Sequence, residues 1–128
     1  MAAEVTLTEE NNIGVVRKIK WEWTAHTDGV VAVDTPNAQT GNAYNGKIEG
    51  LATVPGAGDD APDDNYTVRI YDEDNLDVLF GAAVGNRDTA NTEQVLASSL
   101  GIVVTDKLSL YIEGAGSGNK GTVYLYIR

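Results

Sequence analysis

The stretch IGVVRKIKWEWTA, residues 13–25, decides the class of fold. In it Ile19, Trp21, Trp23 and Ala25 point one way while Lys18, Lys20, Glu22 and Thr24 point the other. Successive side chains alternate between faces only in an extended chain, so this period of two predicts a strand with one buried face. A turn at Thr27, Asp28 and Gly29 leads into residues 30–34, and the close spacing predicts a hairpin. Residues 47–54 resume the alternation, with Ile48, Gly50, Ala52 and Val54 opposite Lys47, Glu49, Leu51 and Thr53. Tyr66, Val68 and Ile70 then alternate with Thr67, Arg69 and Tyr71, and a turn at Asp74 and Asn75 returns the chain through residues 76–80.

Toward the C-terminus the pattern divides once. Asn91 followed by Gln94 fits a capping box that would open a short helix through Leu100, and residues 92–97 also fit a strand, which is the reading adopted. Leu108, Leu110 and Ile112 alternate with Ser109, Tyr111 and Glu113, GAGSGNKG makes a turn, and Val123, Leu125 and Ile127 follow with Tyr124 and Tyr126 on their other face. That order predicts a long C-terminal hairpin. Residues 35–46, with Pro36, and the stretch PGAGDDAPDD at residues 55–64 read as long surface loops. The sum is an all-β chain: a single-domain β-sandwich of about eight mainly antiparallel strands over residues 13–128, preceded by an extended N-terminal arm over residues 1–12 that orders only against a neighbour.

Composition agrees with the pattern. The chain holds 14 Val, 7 Ile and 12 Thr among 128 residues, with 14 Gly and 10 Asn, the mixture of strand formers and tight turns. A chain of this length buries roughly two-thirds of its unfolded surface and holds a core without staples. The absence of Cys rules out disulfides, thiolate metal sites and catalytic thiols. A formal charge of −10 argues against nucleic acid as a partner. The apolar runs are far too short for a membrane-spanning helix, and MAAEVTLTEE has no basic and apolar signal region, so a soluble, untargeted protein is expected.

The charge is unevenly placed, with eight acids and only Arg69 within residues 59–77. Asp59, Asp60, Asp63 and Asp64 lie on one loop, and Asp72, Asp74 and Asp77 on the next turn, too far along the chain to chelate one ion together. Asp72, Asp74 and Asp77 are the candidates for Ca²⁺, a cation that takes hard oxygen ligands. They miss the helix-loop-helix calcium pattern, which wants an acid or Asn where Leu76 stands and Gly where Asp77 stands. The plainer reading is a solvated acidic surface that keeps the protein in solution.

Other motifs carry less. GAGSGNKGT, residues 114–122, lacks the Gly required before Lys120 and runs into a strand instead of a helix, so it is a glycine-rich turn and not a phosphate loop. His26 is the single His and reads as a strand-end surface residue. Trp21 and Trp23 would suit a sugar-stacking platform if exposed, and a core if buried, as their shared face with Ile19 favours. Asn65-Tyr66-Thr67 matches a glycosylation sequon by chance. No nucleophile, base and orienting group come together, and no enzyme is expected.

The second half, DDNYTVRIYDEDNLDVLFG, then NRDTANTEQV and the closing GAGSGNKGTVYLYIR, resembles a family of small β-rich virion proteins of tailed bacteriophages. The likeness runs from about Val16 to Arg128 and rests on the order of features. These are a Trp-bearing strand, the Tyr-Val-Ile strand, an Asp-Asn turn, Asn86-Arg87-Asp88, Thr92-Glu93-Gln94 and the closing segment ending on Arg128. The resemblance implies a structural part of the particle, foremost a capsid decoration or cement protein that binds the expanded shell, with the major capsid protein or another virion protein as partner. It implies self-association, often as a trimer, and a place on the capsid surface after synthesis in the host bacterial cytoplasm. Head-to-tail joining or tail proteins share these features, and a free carbohydrate- or calcium-binding module is the remaining reading. Within the cement reading, Glu9, Glu10, Asn11 and Asn12 of the arm are the expected shell contact, and no cofactor is expected.

Overall fold

A computed structural model describes residues 2–11, 15–100 and 102–128. Among them the chain forms eight strands: β1 (Glu4–Asn11), β2 (Arg17–Thr24), β3 (Gly46–Pro55), β4 (Thr67–Tyr71), β5 (Glu93–Leu96), β6 (Val103–Val104), β7 (Ser109–Glu113) and β8 (Lys120–Ile127). The larger sheet has the order β1-β2-β8-β3-β5, with β6 also on β3, and the smaller pairs β4 with β7; every pairing is antiparallel. One hydrophobic core joins the two sheets, as in a sandwich.

The decisive stretch does what its alternation predicts. Ile19 faces Leu125 on β8, which faces Leu51 on β3, so a row of three buried aliphatic side chains crosses the larger sheet. Each contributes about 2 kcal/mol by leaving water. From the smaller sheet, Val68 opposite Ile112 and Ile70 opposite Leu110 complete the same core. Trp21 is wholly buried and its Nε1 donates to the Ala38 carbonyl at 3.0 Å. Trp23 packs its ring 5.7 Å from that of Tyr66, centre to centre, and this contact joins the sheets.

Several expectations are corrected. Residues 4–11 are not an arm awaiting a neighbour but the outer strand of the larger sheet, because Val5 and Leu7 stand opposite Trp23 and Trp21 and cover them. The C-terminal hairpin is absent: β7 pairs with β4 in one sheet while β8 lies between β2 and β3 in the other. The Gly114, Gly116 and Gly118 backbones, all left-handed, carry the chain from sheet to sheet. Residues 30–34 touch β7 by a single bridge, Val31 to Ile112, and do not pair with β2. Residues 35–46 are not a free surface loop either, since Ala38 and Thr40 are buried and bond to Leu110 and Leu108 along the edge of β7. Residues 76–80 form turns with one bridge, Tyr71 to Asp77, in place of a strand. In β3 a bulge between Ile48 and Gly50 shifts the phase, so that Leu51 and Thr53 join Ile48 in the interior. Glu93–Leu96 is a strand, as read, and is followed by a single 3₁₀ turn at Ala97–Ser99.

Candidate functional site

Two polar constellations and two surfaces stand out. The first constellation is acidic. After β4 the chain turns sharply, and Asp72 Oδ1 holds that turn by accepting the backbone N–H groups of Asp74, at 2.9 Å, and Leu76, at 3.0 Å. Just ahead of β7, Asp106 is anchored where its carbonyl accepts the Tyr44 N–H, and the Lys107 N–H donates to Glu73. These bonds bring carboxylate oxygens of Asp72, Asp74 and Asp106 within 4.8 Å of one another. Asp77, which the sequence grouped with the first two, is not among them. Its Oδ1 accepts the N–H of Leu79 and its Oδ2 that of Gly81, so it is spent on its own turn. Asp106 lies 32 positions past Asp74 and no local pattern links them. Partial desolvation, together with the charges of Glu73, Asp74 and Asp72, raises the Asp106 carboxyl above its ordinary range. The cluster has the oxygen chemistry that Ca²⁺ takes, and it equally has the character of an exposed acidic surface.

The second constellation lies between the sheets. The backbone of Arg87 pairs with Tyr66 at the outer edge of the smaller sheet, and its side chain crosses to the larger one. There Nη1 reaches Thr53 Oγ1 at 3.5 Å on β3 and Glu93 Oε1 at 3.7 Å on β5, while Nε donates to Asn86 Oδ1 at 3.0 Å. Glu93 also accepts the Asp88 N–H at 2.8 Å. Asn86-Arg87-Asp88 and Thr92-Glu93-Gln94, two short motifs of the sequence, thus meet as one joint. The Tyr66 hydroxyl is buried against Thr53 without a hydrogen bond of standard geometry, and burial pushes its pKa up to about 12 despite the Thr53 hydroxyl and the Arg87 charge.

The first surface is the outer face of the larger sheet. Lys18 and Lys20 place their Nζ atoms 5.2 and 5.5 Å from the centre of the Tyr124 ring, a cation–π arrangement on an otherwise acidic chain. Beside it runs β1, the last strand of the sheet. The backbones of Glu9, Glu10 and Asn11 lie in β1 opposite Lys20, Ile19 and Lys18; Asn12 lies outside the described residues. The second surface surrounds Phe80, 77% exposed.

Other candidate residues take quieter places. Trp21 and Trp23 are interior, so no stacking platform for sugars exists at that face. His26 sits exposed at a turn, 3.2 Å from Asp28. Asn65 occupies a left-handed turn position next to β4. Among the described residues no helix is long and apolar enough to cross a membrane. No protein-family model matches the sequence, and no match was found among curated proteins or solved structures.

Proposed function

We propose that this chain is a non-enzymatic structural protein of a tailed-bacteriophage virion, a decoration protein that docks on the assembled capsid and stabilises it. The observation that carries the reading is the position of β1. It closes the larger sheet on one side, and among the described residues no strand lies beyond it. Asn37 donates to the Val5 carbonyl at 3.4 Å and covers the end near Val5, leaving the Glu9–Asn11 end for a partner. A strand edge offers backbone donors and acceptors to an extended segment of a shell protein, and the neighbouring Lys18, Lys20 and Tyr124 face offers charge and aromatic surface. The likeness of residues 16–128 to small virion proteins supports the same reading.

In this reading the major capsid protein is the partner and the acidic loops of residues 59–77 face solvent. Because the protein binds the assembled shell and not its free subunits, its binding energy adds to particle stability by mass action. The test is to add purified protein to particles assembled without it and to image them by electron microscopy. Regular density over the capsid is expected, with occupancy lost in a Glu9→Lys, Glu10→Lys double variant that still melts like the wild type. Density confined to the neck or tail would move the protein to the joining class. Absence of binding would overturn the virion reading.

A further inference from the structure

Gly46 opens β3 at the end of the larger sheet where β2 begins and β8 finishes. There Arg17 stands opposite Ile127, and the next residue, Arg128, exchanges two backbone hydrogen bonds of 2.9 Å with Lys47. A side chain at position 46 would collide with Arg17 Nη2 and lie 2.7 Å from the Arg128 carbonyl oxygen. The bare glycine is therefore what seats the Arg17 guanidinium beside the other two residues, and Arg17, Lys47 and Arg128 converge on it.

Among the described residues no acid forms an ion pair with any of these three cations. Composition does not explain that, because the chain carries nineteen acids to nine Lys and Arg. Lys20 and Arg87 have Glu22 and Glu93 beside them, whereas this group gathers like charges, which repel one another. Aliphatic side chains in water border it. Val103, in register with Lys47, is 67% exposed, and Val15 and Val16, just ahead of Arg17, are 68% and 50% exposed.

We infer that this end of the larger sheet binds a segment of another protein that carries carboxylates next to aliphatic side chains. Charge sets the first half of that description: the planar fork of Arg takes a carboxylate in bidentate geometry, and Lys adds a point charge. The valines set the second half, since they offer apolar contact that a protein segment uses and a phosphate backbone does not. The chain's net charge of −10 also repels a long polyanion more than a short acidic segment that ends at the patch. The inference does not rest on the virion reading, and purified protein tests it.

The probe is a short fluorescent peptide of alternating Glu and Val, titrated with the full chain and followed by anisotropy. Saturable binding that weakens as salt is added is expected. Lys47→Glu should weaken it about tenfold. Lys120→Glu makes the same change of charge at the opposite end of β8 from Arg128 and should leave binding unchanged. Val103→Ser should weaken it about threefold through lost apolar contact. All three positions are exposed, so each variant should melt like the wild type. No saturable binding, or equal losses from Lys47→Glu and Lys120→Glu, would overturn the inference. Tighter binding of duplex DNA, heparin or anionic vesicles than of the peptide, with Val103→Ser without effect, would overturn it as well and make the patch a general anion site.

Discussion

Arg87 Nη1 and Glu93 Oε1 stand 3.7 Å apart across the two sheets, with the Arg87 side chain 7% exposed and that of Glu93 35% exposed. The pair is therefore lopsided: one charge is nearly out of water and the other is still hydrated. Truncating Glu93 strands a buried guanidinium, whereas truncating Arg87 leaves a carboxylate that water can serve. Glu93→Ala is expected to cost about 3 kcal/mol and Arg87→Met about 1 kcal/mol. Urea denaturation of both variants checks this, and equal losses would mean that the difference in burial does not set the cost.

Tyr66 gives the protein an alkaline limit. Its hydroxyl has an ordinary value of 10.0 and is pushed to about 12 in the fold, chiefly by burial. The neutral phenol is the form the fold favours, so its contribution is complete below about pH 10 and is lost as pH rises toward 12. The difference corresponds to about 3 kcal/mol. Tyr66→Phe should keep the ring against Trp23 and move alkaline unfolding, followed by circular dichroism, to higher pH. An unchanged midpoint would show that another group sets the limit.

Gly121 stands opposite Trp23 in the β2–β8 register, and a Cβ there would lie 2.5 Å from Trp23 Cζ2 and 2.8 Å from Cε2. The indole occupies the space that any other residue at 121 would fill. Gly121→Ala is expected to destabilise by about 2 kcal/mol through overpacking. Adding Trp23→Phe should recover part of that loss by making room, and thermal melts of the single and double variants decide it. Additive losses would place the indole elsewhere.

What the sequence discloses and what it conceals follow from what alternation encodes. Ile19, Trp21 and Trp23, like Val123, Leu125 and Ile127, announce an extended chain with one buried face, and both sets are buried. Alternation says nothing about which strand lies alongside. The inward residues of β7 and β8 look the same for a hairpin within one sheet and for strands in facing sheets, so alternation alone does not decide the C-terminal connection. β1 is hidden in the sequence because Glu4, Glu9 and Glu10 outweigh Val5 and Leu7 in the pattern, and its pairing shifts between Leu7 and Glu9. At the acidic cluster Asp72 and Asp74 were visible from their spacing, while Asp106 reaches them only through tertiary contacts of β7 and its approach.

Asp106 supplies the last prediction. Its carboxyl is raised by partial desolvation and by the neighbouring charges of Glu73, Asp74 and Asp72. The folded state therefore holds the proton more tightly than the unfolded chain does. Its contribution is full below the ordinary carboxylate range and declines as pH climbs through the folded value, so that at neutral pH the ionised group works against folding. Asp106→Asn should raise the melting temperature at pH 7, with the gain shrinking in high salt, which screens the three neighbouring charges, and vanishing at about pH 3, where the wild-type carboxyl is protonated. A gain that persists unchanged at low pH would assign the effect to the Asn amide and not to relief of repulsion. A loss at neutral pH would mean that the Asp106 carboxylate holds its turn together in the way that Asp72 and Asp77 hold theirs.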